Sequence, residues 1–183
     1  MKKWLVPIGI VIVLAVVLMS GYNSLIVINE DVNGKWSQVE NQLQRRADLI
    51  PNLVETVKGF AAHETEVFTA LANARAALAG AGTVSETAEA NQEITSALGR
   101  LIAISEAYPE LKSNTNFLAL QDELAGTENR IATARMDYNT AVQSFNTKVK
   151  SLPTALYARL LGFGEREYFE AKDGAEDGVK VDF

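Results

Sequence analysis

Trp36 to Phe60 reads "WSQVENQLQRRADLIPNLVETVKGF". Apolar side chains at Trp36, Val39, Leu43, Ile50, Leu53, Val57 and Phe60 recur three or four positions apart, the spacing that keeps one face of an α-helix apolar. Two features interrupt that face. Arg46 occupies a seam position, with Arg45 and Asp48 beside it, and Pro51 stands in the middle of the run. Proline removes the hydrogen bond to the carbonyl four residues back, here Ala47, and disfavours helical geometry at Ile50. The apolar phase nevertheless passes through Pro51 unchanged, so the pattern predicts a kinked helix more than a broken one.

The same phase extends back to Val32 and forward through Glu64, Val67, Leu71, Ala74 and Leu78. One helix from Val32 to Leu78 is therefore expected, ended by "AGAG" (Ala79 to Gly82) with Gly80 as a left-handed cap. Thr83 and Glu86 have the spacing of a capping box and open a second helix. Its seam is Ile94, Leu98, Leu101, Ser105 and Tyr108, and Pro109 stops it. Ser113 or Asn114 caps a third helix, whose seam runs Phe117, Leu120, Leu124, Thr127, Ile131, Ala134, Tyr138, Ala141, Phe145, Lys148 and Leu152 until Pro153. "TALYARLLGFG" (Thr154 to Gly164) is expected to add a short helix ending at Gly162. At ~1.5 Å per residue the first helix would reach ~70 Å and the second about half that. The first helix must then break at Pro51 into comparable halves or rise as a stalk.

Short connections force antiparallel neighbours. The expected fold is all-α: an up-and-down antiparallel helical bundle of three to four long helices, preceded by one N-terminal transmembrane helix. After Lys2 and Lys3 no charge appears before Glu30, and Trp4 to Tyr22 provides the ~20 residues that a bilayer span requires. The exit "VLMSGYNS" has no A-x-A-like cleavage site, so the segment reads as an uncleaved anchor. Lysines on one flank and Glu30 and Asp31 on the other place the short N-terminus in the cytoplasm and the bundle outside it. The expected organisation is an anchor over 1–29, a bundle over 30–164 and an acidic tail over 165–183, in which seven acidic and three basic residues lie.

A net charge of −6 with a pI near 4.9 argues against a nucleic-acid partner, which needs a clustered basic surface. The chain has one histidine and no cysteine, which removes thiol nucleophiles, disulfides and cysteine-based zinc sites. His63 and Glu64 begin HExE and not HExxH, so the second zinc-binding imidazole is missing. No glycine-framed serine and no phosphate-cradling loop is found. No residue is assigned to catalysis, to a cofactor or to a metal, and the chain reads as a non-enzyme.

What remains is a set of polar residues on or beside the seams: Arg45, Arg46, Asp48, Pro51, His63, Glu64, Thr127 and Arg130. Arg46 is expected to lay its methylenes over apolar neighbours while its head reaches water. His63 reads as a solvated helix residue. Glu64 is expected to be partly buried and bonded to the third helix through Thr127 or Arg130, because an unpaired carboxylate on a packed seam is costly.

"YNSLIVINEDVNGKWSQVENQLQRRADLIPNLVETVKGFAAHE" resembles the signature region of the LemA family of bacterial membrane proteins. The likeness continues through "ALGRLIAISEAYPELKSNTNFLALQDELAGTENRIATARMDYNTAVQSFN" and the closing "GFGEREYF" and "VKVDF". It covers nearly all of the chain from Tyr22, and RRxDLIPNLVxTVKG and AYPELK are its most distinctive words. Phe60 and Phe145 stand where the family leads one to expect tyrosine. The resemblance implies a single N-terminal anchor and an extracytoplasmic helical bundle, and it supplies no reaction.

Three functions are then open. The first is a membrane-anchored, non-enzymatic interaction or scaffold protein of the bacterial cell envelope, touching the bilayer through its N-terminal helix and a protein partner or a second copy through its bundle. It would be a single-pass protein of the cell membrane, facing the periplasm in a Gram-negative cell. The second is a homo-oligomeric, membrane-organising or membrane-shaping protein. The third is an envelope hydrolase or ligand-binding enzyme.

Overall fold

The computed structural model describes residues 5–170, and within that range the side chains of residues 5, 6, 10, 11 and 14 are outside the description. The elements are α1 (Leu5–Lys58), α2 (Thr65–Gly80), α3 (Val84–Ser105), α4 (Pro109–Lys112), α5 (Thr115–Lys150) and two 3-10 turns, Thr154–Leu156 and Arg159–Leu161. No strand occurs among the described residues. The chain is all-helical, as its apolar spacing predicts.

Helix α1 continues past the proline. Pro51 lies inside the helix with its ring exposed, and the break falls eight residues later, at Gly59. The amides of Phe60 and Ala61 both turn back to the carbonyl of Val57, each at 2.9 Å. Glycine is a poor helix former and Lys58 suits the negative end of the helix dipole, so termination here is locally favoured. The turn of residues 59–64 overturns the expected single helix from Val32 to Leu78. Phe60 leaves the seam and is exposed, while Ala61 is buried in its place. Six non-helical residues happen to preserve the three-four count on paper, which is why the sequence pattern runs through the turn without a visible slip.

The other boundaries follow local chemistry. Thr83 caps α3: its hydroxyl accepts from the Glu86 amide at 3.2 Å and the Glu86 carboxylate accepts from the Thr83 amide at 3.1 Å. The capping box is formed as its spacing predicts. Asn114 caps α5 through its side-chain oxygen, which accepts from the amides of Asn116 and Phe117. Ser113, the alternative cap, instead bonds the carbonyl of Pro109. Pro109 does not itself end α3, which stops at Ser105; it opens α4 as the first helical residue, where a missing N–H costs nothing. Gly80 belongs to α2 and is not left-handed, since the one positive φ among the described residues is Gly162, at 83°. That glycine ends the second of two 3-10 turns, which stand where a short fourth helix is expected.

The described residues divide into two compact units. The first holds residues 5–37 with Asp137–Arg166. Its buried side chains include Leu25, Val32, Tyr138, Val142, Phe145 and Ala158, and Trp36 packs on Tyr138 with ring centroids 5.1 Å apart. The second holds Gln38–Met136 with residues 167–170. Its core draws Ile50, Leu53 and Val57 from α1, Leu71 from α2, Ile94, Leu98 and Leu101 from α3, Leu111 from α4 and Phe117 from α5. Each such side chain contributes ~1.5–3 kcal/mol when taken out of water, so the seams, more than any single bond, hold the five helical segments of this unit together. Residues 165–170 form no helix, and Phe169 is buried beneath the guanidinium of Arg135, 4.8 Å from its ring centroid.

The expected membrane span, Trp4 to Tyr22, lies partly outside the described residues. Among the described residues no helix is long and apolar enough to cross a membrane.

Candidate functional site

Arg46 is held by the α1 seam between Leu43 and Ile50, so burying those leucine and isoleucine faces drags the arginine inward with them. It is 4% exposed, and its head does not reach water as expected of a seam arginine. The Nη1 group donates to Asn91 Oδ1 of α3 at 2.7 Å and lies 2.8 Å from Glu128 Oε2 of α5. The second contact is an ion pair by distance and lies off the N–H direction, which is aimed at Asn91. Arg46 Nε finds no acceptor among the described residues. Burial pushes the guanidinium pKa down, and the Glu128 charge opposes that shift. A buried cation needs a partner more than an exposed one does; Glu128 supplies it with a side chain that stays 42% exposed.

One residue earlier, Arg45 faces out. Its Nε and Nη2 both donate to Glu123 Oε1, at 3.1 and 2.5 Å, and Arg130 Nη1 stands 3.6 Å from the same oxygen. The hydrogen bonds and charge of Arg45, with a smaller part from Arg130, hold the Glu123 carboxyl below its ordinary pKa. Thus two of the expected polar residues, Arg45 and Arg130, meet on one carboxylate that the sequence reading passed over.

The remaining expected residues do not join them. Asp48 is exposed and accepts from Gln44 of its own helix at 2.9 Å. Pro51 is exposed, and His63 is exposed in the turn between α1 and α2. Glu64 is half-buried, but its partner is neither Thr127 nor Arg130. Its carboxylate accepts from the Tyr108 hydroxyl at 3.3 Å. Partial burial first, then the Glu64 charge and hydrogen bond, raise the Tyr108 pKa. Thr127 is fully buried and needs no external partner, because its hydroxyl bonds the Glu123 carbonyl of its own helix at 2.8 Å. The expected pairing fails because α1 ends at Lys58. Glu64 therefore begins α2 at the end of the core where Tyr108 lies, and does not continue α1.

The missed residues are Asn91, Glu123, Glu128 and Tyr108. Asn91 was within reach of the pattern. Stepping back three and then four from Ile94 gives Asn91 and Thr87, and both are buried. Nothing in the spacing singles out Glu123 or Glu128.

Beside the Arg46 cluster lies a groove of about 320 Å³. Leu53, Leu98, Ile102, Phe117 and Leu124 line it, and Arg46 and Glu128 give it its charged wall. Among the described residues no group of three or more histidine, aspartate or glutamate side chains is placed to hold a metal ion.

In the first unit a second polar clasp fixes the segment after Gly164. The buried Asn146 accepts from the Arg166 amide at 2.8 Å and donates to the Arg166 carbonyl at 2.9 Å. The Arg166 side chain then reaches Asn29 and Asn33 of α1, at 2.9 and 3.2 Å.

The curated relatives include Magnetosome protein MamQ 2 and MamQ 1 of Paramagnetospirillum magneticum, each 29% identical over 188 residues, covering 88% of this chain and 69% of the relative. Magnetosome protein MamQ of Magnetospirillum gryphiswaldense is 27% identical over the same shares. The model of the LemA family matches residues 35–183, a range that contains the Arg46 cluster, the Asn146 clasp and the turn at Gly59, and the chain therefore belongs to the LemA family.

Proposed function

We propose that this protein is a membrane-anchored, non-enzymatic interaction protein of the bacterial cell envelope. The observation that carries the reading is α1. Its described apolar residues from Ile8 to Met19 are exposed, within a run that carries no charge from Trp4 to Asn29, and the same helix continues to Lys58. Exposed apolar surface on that scale calls for a cover, and a bilayer core is the cover that an uncharged run of this length fits. The relatives named as magnetosome proteins support a membrane setting. Lys2 and Lys3 before the run, with Glu30 and Asp31 after it, orient the N-terminus to the cytoplasm and the remainder outside.

The chemistry of the cluster supports a non-enzymatic role. The buried guanidinium of Arg46 is occupied by Asn91 and Glu128, and the single histidine stands exposed in a turn. Carboxylates such as Asp48 and Glu123 are engaged on outward helix faces.

Three experiments test the reading. A cysteine introduced at Ser85 should react with a membrane-impermeant reagent added to intact spheroplasts; labelling only after lysis reverses the orientation. Crosslinking in native membranes followed by mass spectrometry should recover a protein partner or a second copy. Recovery of neither removes the interaction reading, and release of the protein by alkaline carbonate removes the anchor.

A further inference from the structure

We propose that the segment from Leu152 to Leu161 is a second membrane contact, an apolar foot that enters the lipid interface beside the anchor helix. Leu152, Leu156 and Leu160 are 76%, 73% and 86% exposed. Leu161 next to them is exposed as well, so that four exposed leucines fall within residues 152–161. Soluble surfaces scatter single leucines; a dense group marks a contact. The 3-10 turns present these side chains because the chain has left α5 and Gly162 reverses it.

The position of the foot along α1 selects its occupant. The Tyr157 hydroxyl packs against Gly21 so closely that a Cβ there would overlap it. The Phe163 ring meets Tyr22 edge-on at 6.0 Å. The leucines therefore belong to the level of α1 where the uncharged run from Trp4 reaches its aromatic end. Ile26 and Val27, one turn beyond, are exposed too. A tyrosine pair at this level is what an interface between hydrocarbon and headgroups favours. The charge agrees. From Thr147 to Leu161 there are three basic residues and no acidic one, in a chain whose net charge is −6. Lys150 is paired with Glu165 at 2.8 Å, which leaves Lys148 and Arg159 to face anionic headgroups, an arrangement typical of segments that lie in the plane of a membrane. The foot rests on the anchor reading, because a bilayer reaches it only if α1 is inserted.

The test uses the full chain in vesicles of phosphatidylcholine with an anionic phospholipid. The sequence has no cysteine, so single variants Val13→Cys, Asp31→Cys and Leu156→Cys each carry one environment-sensitive fluorophore, read against lipids bearing a spin label on the acyl chain. The expected result is at least two-fold quenching at 13 and at 156 and none at 31. Quenching at 13 without quenching at 156 overturns the foot and leaves the anchor standing. Quenching at 156 without 13 overturns the anchor and, with it, a foot beside an inserted helix. Quenching at neither overturns both. Shielding at 156 that is insensitive to lipid quencher and fades as protein is diluted into more lipid places a second copy on the leucines and overturns the proposal.

Discussion

Arg46 Nη1 donates to Asn91 Oδ1 at 2.7 Å inside the helical core, and both residues are almost fully buried. An arginine from α1 and an amide from α3 thereby fix each other's depth, while Glu128 neutralises the charge from α5. Removing one member leaves the rest unsatisfied, whereas replacing the cation and its buried acceptor together by apolar groups of similar volume removes the demand. Asn91→Ala should lower stability by ~1–3 kcal/mol, and Glu128→Gln should do the same in direction, softened by the exposure of its side chain. The double variant Arg46→Met, Asn91→Leu should be close to neutral. Urea denaturation of the three variants checks this. A double-variant loss as large as that of Asn91→Ala would mean that the guanidinium itself contributes to stability.

The Asn146 clasp holds residue 166 by both its amide and its carbonyl. Asn146→Ala should cost ~1–3 kcal/mol, since two backbone groups lose partners in a partly buried place. Limited proteolysis should then cut between Gly162 and Glu170 before it cuts the helices. Equal cleavage of wild type and variant in that segment would show that other contacts suffice.

Acid should weaken the fold through Glu123 and Glu86. Both carboxyls sit below their ordinary value of 4.5, Glu123 because of Arg45 and Glu86 because of the backbone amides of Gly82 and Thr83. A depressed carboxyl contributes stability that is present above its unfolded pKa and is lost as pH falls through the folded one. The melting temperature should therefore drop on acidification below about pH 4.5, and the double variant Glu86→Gln, Glu123→Gln should show a shallower drop. Salt should diminish the Glu123 part, because the Arg45 pair is exposed. An identical acid slope in the double variant would assign the effect to other groups.

Glu64 should matter little. It is half-buried and its carboxylate accepts a long hydrogen bond from Tyr108, so Glu64→Ala and Tyr108→Phe should each change stability by less than ~1 kcal/mol. Their double variant should equal the larger single effect if the bond is what couples them. Additive losses would show two independent roles.

The sequence by itself determined the helical class, because its seams are written in three- and four-residue steps and those steps commit buried faces. Local chemistry was equally legible: Thr83 with Glu86, and Asn114, carry their caps within three residues. Arg46 and Asn91 lie at seam positions, but the burial of the Arg46 head, expected to reach water, depends on the Asn91 and Glu128 partners that packing supplies. Only the tertiary structure decided what depends on residues far apart in the chain. The helix continues past Pro51, as its unbroken apolar phase predicts, but the turn at Gly59 ends it where the apolar spacing shows no slip. That turn sends Glu64 to Tyr108 and leaves Thr127 to its own backbone. Glu123 and Glu128 became partners of Arg45 and Arg46 only when α5 was laid against α1, a pairing no local spacing encodes. The exposed leucines of residues 152–160 read as the end of one seam and the start of a helix; their display beside Gly21 and Tyr22 exists because chain segments more than a hundred residues apart pack together.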